Sequence, residues 1–203
     1  MADKYYMWNE LNEVPALIKK GLSSSNVIIP NSDKEFNINN FSNIKLIASG
    51  SSNNVAHSGR FALEELIHKP ISVEYASEFA HRNFCLDERT LVIPISQSGK
   101  TADTLYAIKK IKEKTNCQIL SITNVKDSPI YKLSNYNVLI KAGIEKAVPA
   151  TKTFSMQLLS LLNFAFSVTD KNHINPEYLK QVEDDLKMLP DIITKVISMK
   201  DEF

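Results

Sequence analysis

Two patterns of apolar residues alternate along the chain. The first is a short, nearly continuous apolar run, seen in "IKLIAS" (Ile44 to Ser49), "ISVEY" (Ile71 to Tyr75), "TLVIPIS" (Thr90 to Ser96), "CQILSIT" (Cys117 to Thr123) and "YNVLIKA" (Tyr136 to Ala142). Runs of this length, rich in β-branched residues, predict strands buried on both faces. The second pattern is a longer stretch with apolar residues every three or four positions, which predicts amphipathic helices. The opening helix carries Met7, Leu11, Val14, Leu17 and Ile18, and Pro15 is expected to kink it. A helix from about Val55 to Ile67 offers Phe61, Leu63, Leu66 and Ile67 to the core, and one from Thr101 to Lys114 offers Ala102, Leu105, Ile108 and Ile111. Two more are predicted over Ala150 to Thr169 and Pro176 to Met199, the latter carrying Leu179, Val182, Leu186, Leu189, Ile192, Ile193 and Val196. The stretch from Ser23 to Ser42 is rich in Ser and Asn and reads as mostly loop. Pro94 is expected near the end of its strand, where a missing donor matters least.

Strands separated by helices imply an α/β protein, a three-layer α-β-α sandwich around a five-stranded parallel sheet. The boundaries that follow are an N-terminal helix and loop over 1–42, a central domain over 43–170, and a C-terminal helix over 171–203. In such sheets ligands bind beyond the carboxyl ends of the strands. That directs attention to four connections: "GSSNN", "SQSGKT", "TNVKDS" and "AGIEKAVPATKT".

Composition removes several classes of function. Lys and Arg number 24 against 23 Asp and Glu, so no global field recruits nucleic acid or an anionic membrane. The 203 residues contain no apolar segment long enough to span a bilayer and no signal-peptide core at the amino terminus. Cys85 and Cys117 have neither metal-ligand nor redox-motif spacing and read as small hydrophobes. A cytoplasmic protein with no metal and no cofactor is expected.

"SQSGKT" ends like a Walker A motif, but the required glycine five positions before Gly99 is Pro94, which has no N–H and cannot take the glycine conformation. What remains is a hydroxyl-rich turn between a strand and a helix. Ser96, Gln97, Ser98 and Thr101, with the free amides of a helix start, suit a phosphate. The alternative is that Ser98 or Thr101 merely caps the helix. "ASGSSNN" repeats the chemistry with Gly50, Ser51 and Ser52 after another strand, so two loops can converge on one phosphate monoester. Of only five glycines in the chain, Gly50 and Gly99 fall in these two loops, which favours close approach of backbone to ligand. No GxGxxG with an acidic ribose-binding position accompanies them, so a dinucleotide is not expected.

The segments "MWNELNEVPALIKKGL", "ASGSSNN", "VEYASEF", "ISQSGKTADTL", "SITNVKDSPIYKLSN" and "AGIEKAVPATKTFSMQL" together resemble the sugar isomerase (SIS) domain family. They are most similar to the isomerase halves of glutamine–fructose-6-phosphate aminotransferases, and also to two-domain sugar-phosphate isomerases and amino-sugar deaminases. The resemblance implies a flavodoxin-like SIS fold binding a hexose 6-phosphate such as fructose 6-phosphate or glucosamine 6-phosphate. It implies that Ser51, Ser96, Gln97, Ser98 and Thr101 hold the phosphate, that Ser52 faces the sugar, and that the backbone near Val148, with Ala150, meets the sugar end. Lys100 stands where those synthases usually carry glutamate, and Ala150 where they usually carry serine. The resemblance also places most of the chemistry in a second SIS domain, so this chain is expected to supply a phosphosugar-binding half and to pair with such a domain or form a homodimer. Among its own residues Glu145 is the candidate acid or base, weighed against a loop-ordering role. Glu78 is expected to anchor its helix start or a subunit contact, His81 to pack at a surface or interface, and Lys152 to lie near the ligand's charge or the carboxylates around it. The alternative function is a non-catalytic sugar-phosphate sensor.

Overall fold

The computed structural model describes residues 5–23, 28–33 and 35–202. Its first helix, α1 (Tyr6–Ser23), leads to a two-residue strand, β1 (Ile29–Pro30), and a 3-10 turn at Ile38–Asn40. Then strands and helices alternate: β2 (Asn43–Ala48), α2 (Ser51–Ile67), β3 (Ile71–Tyr75), α3 (Ala76–His81), β4 (Thr90–Ser96) and α4 (Ala102–Lys114). The series closes with β5 (Gln118–Thr123), α5 (Pro129–Leu133), β6 (Tyr136–Leu139), α6 (Lys152–Val168), α7 (Pro176–Ser198) and a 3-10 turn at Lys200–Glu202.

The sheet has six strands in the order β1-β6-β5-β4-β2-β3. The five expected parallel strands are all there, and β1 adds an antiparallel edge through Ile29 opposite Asn137 and Pro30 opposite Tyr136. This edge lies within the Ser23–Ser42 stretch read as mostly loop. Two residues leave no periodicity to detect, and proline is tolerated at an edge because no ladder donor is needed on the open side. Asn31 secures the edge instead: its side-chain amide donates to the carbonyls of Tyr131 and Ser134, both at 2.8 Å.

Every residue of β4 is buried, as expected for a strand with neighbours and helices on all sides. Pro94 does not sit at the strand end. It is the fifth of seven residues, opposite Ile47, and the ladder to β5 has no paired positions at Ile93 and Pro94. The proline interrupts pairing on one side only.

Two clusters of apolar side chains fill the faces of the sheet. The larger joins β2, β4, β5 and β6 to α1, α2 and α6 through residues such as Ile44, Leu46, Leu63, Leu161 and Phe164. Val14 and Ile18 of α1 belong to this core, so the opening helix is packed in. It also runs without a break through Pro15. The smaller cluster lies under α3, α4 and α5, around Phe79, Ile108 and Ile119. Several stripes are rotated from expectation. Met7 and Phe61 are exposed, with the Arg60 guanidinium 4.5 Å from the Phe61 ring, and α4 buries Thr104 and Ala107 rather than Ala102.

Chain order across the sheet fixes where a ligand can enter. From β2 the chain moves outward to β3, then returns to the opposite side of β2 to make β4. The connections after β2 and β4 therefore diverge to opposite faces and leave a crevice between them. Ala48 and Ile95 are paired across it, so "GSSNN" and "SQSGKT" emerge side by side.

Candidate functional site

The turn after β4 is built by its own hydroxyls. The buried Ser96 Oγ lies 2.9 Å from Thr101 Oγ1 and accepts the Gly99 N–H at 3.1 Å. Ser98 Oγ accepts the Lys100 N–H at 3.3 Å. Gly99 turns the chain at φ +62°, and its carbonyl accepts the Ile130 N–H at 2.9 Å. Thr101 occupies the N-cap position of α4 but makes no side-chain cap bond. The capping alternative therefore does not describe Thr101: its hydroxyl pairs with Ser96 rather than with a helix amide, and the helix start is left to other acceptors.

The turn after β2 does the same with fewer side chains. Gly50, at φ +57° and ψ −135°, is the N-cap of α2 and by its nature caps nothing with a side chain. The helix begins at Ser51, four residues earlier than the periodicity predicts, because Ser51–Asn54 carry no apolar residue to signal it. Asn53 is fully buried and donates to the Glu74 carbonyl at 3.2 Å, tying the helix start to β3. Ser49 Oγ and Thr104 Oγ1 stand 3.5 Å apart and link the roots of the two turns. Two helix starts, each without a side-chain cap, thus flank one crevice. Each offers unpaired amides and the positive end of a helix dipole.

The start of α6 is different. Glu145 Oε1 accepts the N–H of Thr151 at 2.9 Å and of Thr153 at 3.2 Å, and the Thr153 hydroxyl donates to its other oxygen. A carboxylate already occupies this helix end. An anionic ligand group is therefore favoured at α2 and α4 and disfavoured at α6, so the site is polarised along the rim of the sheet.

Around Glu145 the connection from β6 to α6 is held at several points. Asn124, just after β5, donates from its side chain to the Gly143 carbonyl at 2.6 Å and accepts the Ala142 N–H at 2.8 Å. The Asn124 backbone N–H also donates to the Gln97 carbonyl at 3.2 Å, joining this connection to the β4 turn. From α1, the Glu10 carboxylate accepts the N–H groups of Lys146 and Ala147, and Glu13 pairs with Lys152 Nζ at 2.7 Å. Glu10 is 4% exposed. Hydrogen bonds to a charged, desolvated group contribute about 1.5–3 kcal/mol each, so these are strong tethers.

The candidate residues separate into groups. Gly50, Ser51, Ser96, Gln97, Ser98 and Thr101 line the two adjacent turns, with Ser51 exposed and Gln97, Ser98 and Thr101 half-buried. Ser52 is buried, and its hydroxyl accepts from Gln157 Nε2 at 3.0 Å, so it braces α2 against α6. Val148 projects its side chain into solvent at 99% exposure, and Ala150 is half-buried beside the Glu145-capped helix start. His81 packs against Tyr106 at 5.5 Å between ring centroids, and Glu78 is exposed. Cys85 is exposed rather than packed. Among the described residues no three His, Cys, Asp or Glu side chains converge as a metal site would require.

The sequence left Glu10, Asn124 and Ser128 unmarked. Asn124 and Ser128 lie in "TNVKDS", one of the connections singled out, but nothing in its spacing says which residue bridges two loops. Glu10 is more than a hundred positions from its partners, and only an acidic residue on the apolar side of α1 hinted at it.

The SIS domain family matches residues 37–167. Glutamine–fructose-6-phosphate aminotransferase (isomerizing) of Buchnera aphidicola is 36% identical over 204 residues, covering 97% of this chain and 34% of that protein. The enzyme of the same description from Chlamydia caviae is 34% identical and covers 96% of this chain and 33% of that protein. The solved C-terminal domain of glucosamine-fructose-6-phosphate aminotransferase from Francisella tularensis superposes with a TM-score of 0.87 at 28% identity, covering 99% of this chain and 58% of that one. The chain thus spans about a third of the length of the curated relatives it matches. On the sheet order, the two turns at its switch point and these likenesses, the chain belongs to the SIS-domain family.

Proposed function

We propose that this chain is the phosphosugar-binding half of an amino-sugar enzyme of the aminotransferase or isomerase type, taking a hexose 6-phosphate such as fructose 6-phosphate or glucosamine 6-phosphate. The observation that carries the reading is the pair of helix starts, α2 and α4, left without side-chain caps on either side of the switch-point crevice. A phosphate monoester supplies what both lack: oxygens to accept the free amides and negative charge to meet two dipoles. Ser51, Gln97, Ser98 and Thr101 add neutral donors, and Ser96 holds the β4 turn in shape. The sugar, which carries no negative charge, then points toward the 143–151 connection, where Glu145 already occupies the helix end.

In this reading Glu145 orders the loop. Its oxygens are engaged by Thr151 and Thr153 and are not poised to move a proton. Isomerisation or amination then requires groups from a second domain, either in tandem or on a second copy of this chain. Ala150 contributes no hydroxyl to the sugar, and the exposed Lys100 makes the β4 turn more attractive to a dianion.

Calorimetry with fructose 6-phosphate and glucosamine 6-phosphate, together with NMR detection of product with and without ammonia, tests the proposal. Binding without turnover is the expected result for the chain alone. Turnover would move the chemistry into this domain, and absence of binding to either sugar would sink the ligand assignment. Ser98→Ala combined with Thr101→Ala should weaken binding at least about tenfold, the loss expected from one or two hydrogen bonds to a charged group.

A further inference from the structure

The phosphosugar reading makes no use of Glu10, although its carboxylate is among the most thoroughly buried charges in the molecule. The residue lies on α1, outside the stretch 37–167 that the SIS domain family matches. Its two oxygens take successive backbone amides, Lys146 and Ala147, the second at 3.2 Å. Those amides belong to a connection that cannot position itself by burial, since Ile144 is 80% exposed and Val148 99%. Its place must come from polar tethers, and they are of three kinds. Asn124 holds its start, Glu145 holds its end at the first turn of α6, and Glu10 holds its middle. The Asn124 tether continues into the β4 turn through Gln97, so the connection is fixed relative to the candidate phosphate site.

We propose that Glu10 is a positioning residue of the ligand site, which by gripping the Lys146 and Ala147 amides sets how the 143–151 connection meets the organic part of the ligand. This rests on the phosphosugar reading. Glu10 does not reach the phosphate turns, so its loss changes discrimination between a sugar phosphate and bare phosphate rather than anion binding itself. A glutamine in its place keeps the shape but sets an NH2 donor against one of the two N–H groups that the separate Glu10 oxygens accept.

The test compares the unmodified chain with Glu10→Gln and Glu10→Asp, by calorimetry with fructose 6-phosphate and with inorganic phosphate. Amide resonances of Lys146 and Ala147 are followed by 15N NMR in the same proteins. In Glu10→Gln, fructose 6-phosphate should bind at least tenfold more weakly while inorganic phosphate changes less than twofold, and the two amides should shift and exchange faster. Glu10→Asp retains the charge on a shorter arm and should recover part of both signals; it also serves if the glutamine variant fails to fold. Unmoved amides, or equal weakening of both ligands, would overturn the proposal while leaving the phosphosugar reading intact. If the unmodified chain binds neither probe, that reading falls and this proposal falls with it.

Discussion

A methyl group at residue 99 would stand 2.0 Å from the Ser128 hydroxyl and 2.5 Å from its Cβ. Rotating the hydroxyl removes only the first clash. The backbone there is also left-handed, at φ +62°, which costs an alanine about 1–2 kcal/mol before any overlap. Gly99→Ala should therefore destabilise the protein by about 2 kcal/mol or more in urea titrations and weaken fructose 6-phosphate binding, because the β4 turn must open to accept it. Ser128 Oγ itself is buried with no hydrogen-bond partner among the described residues, consistent with a side chain pressed against the glycine. The two cysteines make a second residue-level contrast. Cys117 is buried, its thiol donates to the Asp87 carbonyl at 3.2 Å, and burial pushes its pKa up. A raised thiol pKa leaves less thiolate at a given pH, so thiol reagents at pH 8 should label Cys85 quickly and Cys117 only after unfolding. Comparable rates in the folded protein would contradict the burial.

At the scale of elements, the helix starts that follow β2, β4 and β6 are the informative comparison. α2 and α4 begin without side-chain caps, whereas α6 is capped from six residues upstream by Glu145. Removing the cap at α6 should cost what helix caps usually contribute. Glu145→Ala is expected to lower stability by about 1–2 kcal/mol, read from the urea midpoint, and to speed amide exchange at Thr151 and Thr153. A variant that keeps both protected would show the carboxylate is not holding the helix. Much of this level was legible in the sequence. The five parallel strands and the large helices follow from apolar runs and periodicity, which depend on short-range order alone. β1 was not legible, because two residues carry no period and the pairing partner lies more than a hundred positions away. The early start of α2 was hidden for a related reason: "SSNN" is polar, and its second serine and first asparagine are buried only because α6 and β3 come to meet them.

For the whole molecule, α7 is the element whose surroundings look incomplete. Only Leu179 and Pro190 are buried along it, while Met188, Ile192 and Val196 stand about half exposed at four-residue spacing, on one stripe. Of the stripe predicted from periodicity, Leu179 is buried and Val182, Leu186, Leu189 and Ile193 are half-buried, whereas Ile192 and Val196 stand exposed. Beside it a groove of about 270 Å³ is lined by Trp8, Leu11, Ile193 and Val196. If a second copy covers this face, sedimentation of the isolated chain should give a dimer that Ile192→Glu with Val196→Glu dissociates. A monomer at tens of micromolar would instead leave the face to a tandem domain. Among the described residues no helix is long and apolar enough to cross a membrane, so this stripe is not a spanning segment.

The sequence by itself determined the layer order of the fold and the two turns that make the candidate anion site. Both are written locally, the first in the period of apolar residues and the second in a strand, a glycine and hydroxyls followed by a helix. Tertiary structure decided which groups are available. It spent Ser96 on Thr101, Ser52 on Gln157 and Glu145 on the start of α6, and it brought Glu10 from the opening helix to the far loop. The physical reason is that residue type sets what a side chain can bond, while partners are chosen by packing between segments remote in sequence. Availability is therefore settled only when the chain has folded.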